Sequence, residues 1–196
     1  MADPDPRSNS IARIRISIVG SEPEIWRLLE VSSGLSLAEL HEVIQVAFGW
    51  RDSHLHQFTA ADGQRWADER WIEEGEDGED EQRITLAEVL DEESGPLTYE
   101  YDFGDGWIHQ VELIELVSDA TSPRALLVRG ERRGPLEDSG GIHAYTEKLR
   151  ILASPEDPQH VNVRTWIDVA LAPAEIRFDP DALDVGRVNR ALARRS

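Results

Sequence analysis

The sequence predicts an α+β fold, with a mainly antiparallel sheet of about five strands, built from hairpins and packed against several helices. Three observations carry this. Apolar residues alternate with a period of two in paired neighbouring segments. Ser/Thr and Glu stand at capping-box spacing ahead of two helical stretches. Three further helical patterns close the chain after the last extended segment.

Residues 1–10 are acidic and broken by Pro4 and Pro6, so they read as a disordered lead-in to one domain over 11–196. Ile14, Ile16 and Ile18 alternate with Arg13, Arg15 and Ser17, the pattern of a half-buried strand over about 11–19. Gly20-Ser21-Glu22-Pro23 breaks it, and a second strand from Ile25 to Val31, with Trp26 and Leu28 on one side, completes a hairpin. Ser36-Leu37-Ala38-Glu39 then starts a helix to about Phe48. Leu37, Leu40, Ile44 and Phe48 form its buried stripe, His41 and Ala47 lie at the margins, and Gly49 stops it.

His54 to Ala60 reads as a third strand. Residues 62–82 hold three glycines and an acidic run, too polar for a core, and are expected to form a surface loop with at most a short strand around Arg70-Trp71-Ile72. Thr85-Leu86-Ala87-Glu88 repeats the capping-box spacing and begins a short helix.

Leu97, Tyr99, Tyr101 and Phe103 alternate with polar residues, as do Trp107, His109, Val111 and Leu113 beyond Gly104-Asp105-Gly106. This is a second hairpin. A two-residue turn would set Asp102 opposite His109, whereas a three-residue turn pairs Phe103 with Trp107 and Tyr101 with His109 and keeps one apolar face, so the latter is favoured. Ala125 to Val128 offers a further strand. A turn-rich loop over 132–141 follows, then helices at about 143–152, 161–170 and 183–194.

With 196 residues, 40% hydrophobic, the chain can bury a core without staples. It contains no cysteine, which excludes disulfides, thiolate metal ligands and a cysteine nucleophile. The N-terminus lacks a basic and apolar leader, and no run of eighteen apolar residues occurs, so a cytoplasmic protein with no membrane association is expected. The formal charge is −19, and Asp68 to Glu93 alone holds thirteen acidic residues against Arg70 and Arg83. Such a balance repels phosphate backbones and disfavours direct nucleic-acid binding. Arg187, Arg190 and Arg194 are the local exception, read as a solvated helix face.

His54 and His56, two apart on an expected strand, project to one face, and His109 would join them if the strands are neighbours. Three imidazoles suffice for a divalent metal, with Asp102 or Asp105 behind them. Asp102, Asp105, Glu137 and Asp138 offer acid–base pairs or hard-cation ligands. The candidate functional cluster is therefore His54, His56, Asp102, Asp105, His109, Glu137 and Asp138, with Trp50, Tyr101 and Trp107 as candidate aromatics of a ligand cleft. No phosphate-binding glycine loop of strand–loop–helix type and no Gly-x-Ser-x-Gly elbow is present.

Several fragments occur in a telling order: Ile25-Trp26-Arg27, Leu40-His41-Glu42-Val43-Ile44-Gln45, Gly49-Trp50, His54-Leu55-His56-Gln57-Phe58, Tyr99-Glu100-Tyr101-Asp102-Phe103-Gly104-Asp105, Trp107-Ile108-His109, Pro135-Leu136-Glu137-Asp138-Ser139-Gly140-Gly141, Phe178-Asp179-Pro180 and Asn189. Over about residues 11–192 the chain resembles the plasmid pRiA4b ORF-3-like family. The resemblance implies a bacterial or archaeal protein found on plasmids, in a family sometimes labelled insertion-sequence passenger or resolvase-like, with no established reaction. Many members have cysteines in the Pro-Pro-Glu-Asp-Cys-Gly-Gly stretch, where this chain has Gly134 and Ser139 instead, so neither a thiol nor a zinc role is carried over from the family.

The leading expectation is a non-catalytic binding or interaction module meeting a small-molecule or protein partner through the polar loops Gly104–Gly106 and Gly134–Gly141. The alternatives are a metal-dependent hydrolase-like enzyme using the histidine and carboxylate cluster, and a nucleic-acid-associated mobile-element factor.

Overall fold

A computed structural model describes residues 10–73, 77–90, 94–117, 123–171 and 177–194, apart from the side chains of Arg70 and Glu73. The lead-in expected over 1–10 lies outside them except for Ser10, as do residues 74–76 of the acidic segment. Among the described residues the strands are β1 (Ile11–Ile18), β2 (Trp26–Ser32), β3 (His56–Thr59), β4 (Arg65–Ala67), β5 (Glu79–Asp80), β6 (Leu97–Tyr101), β7 (Trp107–Val117) and β8 (Ala125–Glu131). The helices are α1 (Leu37–Phe48), α2 (Glu69–Glu73), α3 (Leu86–Val89), α4 (Gly141–Leu152), α5 (His160–Ala170) and α6 (Val185–Leu192).

The strands form one open sheet in the order β5-β4-β3-β6-β7-β1-β2-β8, antiparallel except where β4 meets β5. The α+β class and the mainly antiparallel sheet agree with expectation, but among the described residues the sheet has eight strands rather than about five. β4 and β5, three and two residues long, are too short to show an alternation. They sit with α2 inside the acidic segment, where a loop was expected, and Trp71 lies in α2 rather than on a strand.

The two hairpins join through β1 and β7, which pair along nearly their whole lengths. Ile14, Ile16, Leu29, Val31, Tyr99, Tyr101, Trp107 and Val111 point to the inner face and are buried. On the outer face, Arg13 bridges Glu30 and Glu115 while Arg15 reaches Glu24. Such exposed pairs contribute little to stability, so the inner face decides the fold.

Helix α1 covers that face. Ser36 accepts from the Glu39 amide while the Glu39 carboxylate accepts from the Ser36 amide, and Gly49 ends the helix in the left-handed conformation. The half-turn after it is anchored from below. Arg27, 1% exposed, donates to the carbonyls of Ala47, Trp26 and Glu131, tying the helix end to β2 and β8.

The second hairpin corrects the expected register. Tyr101 pairs with Trp107 and Tyr99 with His109, so the connection is five residues long, Asp102 to Gly106. Asp102 sits at φ 57, its Oδ1 accepts from the amides of Gly104 and Asp105, and its carbonyl accepts from Gly106. This aspartate turn satisfies more backbone groups than a tight bulge would. The slip is two residues, so the inward face is retained. Phe103 leaves the sheet and packs against Trp71, ring centroids 5.7 Å apart.

Candidate histidine and carboxylate cleft

One end of the sheet opens into a cleft of about 820 Å³. Its walls come from the exposed edge of α1 (Ala38, His41, Glu42), the segment Asp52–His56, the acidic segment (Asp68, Trp71, Glu81, Gln82) and the Asp102–Gly104 turn. Two groups of potential metal ligands occur among the described residues, His41 with Asp52 and His56, and His54 with Asp102 and Asp138.

The first group is part of a closed hydrogen-bond circuit. The Asp52 amide donates to Gln45 Oε1, which turns the Gln45 amide nitrogen toward the Tyr99 hydroxyl at 3.0 Å. Tyr99 is fully buried, and burial holds its hydroxyl proton well above the ordinary tyrosine range. His41 Nε2 faces Asp52 Oδ1 at 3.1 Å, and a carboxylate oxygen accepts, which sets the ring proton on Nε2. His41 Nδ1 then accepts from the Tyr99 hydroxyl at 2.8 Å. Beside it, His56 Nε2 donates to the buried Glu81 carboxylate at 2.8 Å.

The second group surrounds His54, which stands just before β3. Its Nε2 lies 3.0 Å from Asp138 Oδ1, 3.6 Å from Asp102 Oδ2 and 3.8 Å from Glu137 Oε2. Each of the two inner carboxylates is held from behind. Asp102 Oδ1 is occupied by the turn amides, which leaves Oδ2 toward His54. Glu137 accepts from the Arg51 amide at 2.6 Å and from the Tyr101 hydroxyl at 3.0 Å. The Tyr101 oxygen accepts in turn from the Ser53 amide, and burial together with Glu137 raises its pKa.

The structure therefore brings together His54, Asp102, Glu137 and Asp138 of the sequence candidates, while His56 opens into the same cleft beside His41. His109 does not join them. It points into the core on β7, donating from Nδ1 to the Trp107 carbonyl and accepting from Trp50 Nε1 at Nε2, with its pKa lowered to about 4 by burial. The expected His54, His56 and His109 triad is thus corrected: the strand pairing that sets Tyr99 opposite His109 places that imidazole under Phe48, 4.9 Å between ring centroids.

Asp105 also stands apart, its Oδ2 accepting from the Gly140 amide at 2.7 Å to hold the start of α4. Trp50 packs at a tilt between Tyr101 and Trp107 in the core, and it is Trp71 and Phe103 that line the cleft. Sequence reasoning missed His41, Asp52 and Glu81 as cleft residues. His41 was visible only as a polar residue at the margin of the α1 stripe. Ser139, at the position of the family cysteine, is fully buried and donates to the Leu136 carbonyl.

Fold and site define an α+β chain with an open, mainly antiparallel sheet that gathers histidines and carboxylates at one end. The chain belongs to the plasmid pRiA4b ORF-3-like protein family, whose sequence profile matches residues 10–187. It is 30% identical over 185 residues to an uncharacterized protein of Sinorhizobium fredii, y4hQ, covering 93% of this chain and 91% of the relative. The crystal structure of a protein of unknown function from Methanosarcina mazei Go1 superposes with a TM-score of 0.80 at 27% identity, over 90% of this chain and 96% of that one. Among the described residues no helix is long and apolar enough to cross a membrane.

Proposed function

We propose that the protein is a non-catalytic binding module whose working surface is the cleft, and that it takes a cationic ligand there. One observation carries this reading. Glu42, Asp52, Asp68, Glu81 and Asp102 line the cleft, and no lysine or arginine does so among the described residues. A concave surface lined by one sign of charge concentrates ligands of the other. Trp71 and Phe103 supply an aromatic wall on which an alkylammonium or guanidinium group can rest. The same lining works against a nucleic-acid-associated role, because a phosphate backbone would meet carboxylates rather than counter-charges.

Calorimetric titration with spermidine and agmatine tests the reading. Binding that weakens as salt rises, and weakens again in Glu42→Gln, is the expected result. No binding of either cation, with binding of inorganic phosphate instead, would refute it.

A further inference from the structure

We infer that His54, Asp102, Glu137 and Asp138 form a site for a divalent first-row transition ion, with one imidazole nitrogen and three carboxylate oxygens as donors. This deepens the cleft reading and rests on it, since the site opens where the Asp102 turn meets the cleft floor.

The donor spacing is the first argument. Atoms bound to one ion at about 2.1 Å stand about 3.0–3.4 Å from one another. The His54 nitrogen is 3.0 and 3.6 Å from the Asp138 and Asp102 oxygens, and these three donor atoms lie within 4.8 Å of one another; the Glu137 oxygen, 3.8 Å from the same nitrogen, stands outside that trio and moves furthest to complete the set.

The second argument is charge. None of the three carboxylates pairs with a lysine or arginine among the described residues, and two of them are nearly buried, with side chains 11% and 9% exposed for Asp102 and Glu137. Buried carboxylates demand a cation. A single imidazolium would offset one negative charge of three. The His54 nitrogen is itself enclosed, and no neighbouring oxygen meets it with hydrogen-bond geometry despite the short distances. It converges on the carboxylates without being bonded to any of them.

The third argument is preorganisation. Asp102 is oriented by two turn amides and Glu137 by a backbone amide and the Tyr101 hydroxyl, each leaving one oxygen toward His54. Metal sites hold their carboxylates from behind in this manner. Asp102 and Asp138 also adopt left-handed backbone, φ 57 and 58, a conformation costly for non-glycine residues and concentrated at functional sites. The imidazole selects against Mg²⁺ and Ca²⁺, while three oxygens suit Mn²⁺ as well as Zn²⁺.

The experiment uses full-length protein stripped with EDTA and dialysed, then titrated with MnCl₂ and ZnCl₂ by calorimetry and checked by elemental mass spectrometry. One ion per chain is expected, with Mg²⁺ binding at least tenfold weaker. His54→Ala and Asp138→Asn are each expected to weaken Mn²⁺ binding at least tenfold while circular dichroism stays native. Asp138 is 74% exposed, so that variant remains informative if replacement of an inner residue disturbs folding.

Absence of binding by either ion would overturn the assignment. Retention of the ion in His54→Ala with its loss in Asp52→Asn would also overturn it, by moving the ion to the His41, Asp52 and His56 group. A parallel spermidine titration in EDTA separates the two proposals. Spermidine binding without metal binding sinks the metal site alone, and metal binding without any polyamine binding leaves the site but removes the organic cation.

Discussion

His41 and His56 lie face to face, their ring centroids 3.6 Å apart and their planes within 8° of parallel. The contact joins a helix residue to a strand residue, and each ring is held by a different polar partner, Tyr99 behind His41 and Glu81 beside His56. The cleft wall is thus a rigid stack rather than a pair of free side chains.

The circuit through Gln45, Tyr99, His41 and Asp52 makes Tyr99→Phe informative. Loss of the hydroxyl strands a buried imidazole nitrogen and a buried amide donor, which costs about 1–3 kcal/mol. Urea denaturation should show a lower midpoint with an unchanged slope, since the ring itself is preserved.

His109 predicts a pH dependence. Its pKa is lowered from the ordinary 6.5 to about 4, chiefly because burial penalises the imidazolium, with Arg27 adding repulsion. Trp50 already donates to the nitrogen that would be protonated. Between these two values the unfolded chain binds more protons than the folded one, so stability is whole above about pH 6.5 and falls as the pH drops toward 4. The contribution of this single group is about 3 kcal/mol. Urea midpoints measured from pH 7 to 4 should decline, and the decline should be shallower in His109→Gln.

Asn189 closes the sheet edge. From α6, its amide accepts from the Leu127 amide at 2.8 Å and donates to the Leu127 carbonyl at 2.9 Å, standing in for a ninth strand along β8. Asn189→Ala should cost about 1–3 kcal/mol and raise hydrogen exchange at the Leu127 amide ahead of global unfolding.

Gly134 sets the height of the loop that carries Glu137 and Asp138. A Cβ there would fall 2.0 Å from the Phe48 carbonyl oxygen, and backbone cannot yield as a flexible side chain can. Gly134→Ala should destabilise by about 1–3 kcal/mol and, by lifting the loop, weaken Mn²⁺ binding without touching a ligand. A variant with native stability and native Mn²⁺ affinity would show that the loop finds another seat.

Sequence periodicity identified β1, β2, β6, β7 and α1 because each has one face in the core and the other in solvent, so the burial pattern is written directly in alternation. It could not find β4 and β5, whose five residues are held in place by neighbours rather than by their own pattern. The hairpin is instructive in both directions. The alternation of Tyr99, Tyr101, Trp107, His109 and Val111 correctly placed all five on the inner face, yet the register was two residues out, because parity survives a two-residue slip and only the aspartate turn selects among registers of the same parity.

The site divides along the same line. Residue chemistry marked His54, Asp102, Glu137 and Asp138 as candidates, since imidazoles and carboxylates beside glycine turns are rarely idle. What the sequence by itself determined was therefore the fold class, the face each strand turns inward, the capped start of α1 and the stock of ligating side chains. Which of those side chains meet was decided only by tertiary structure. The pairing of Tyr99 with His109 sends one histidine into the core, the close approach of Gly134 to Phe48 brings Glu137 and Asp138 across to His54, and the packing of α1 on β6 delivers His41 to His56. Contacts of this kind leave no local period, because the groups they join lie from 10 to more than 80 residues apart and interact only once the chain has closed around its core.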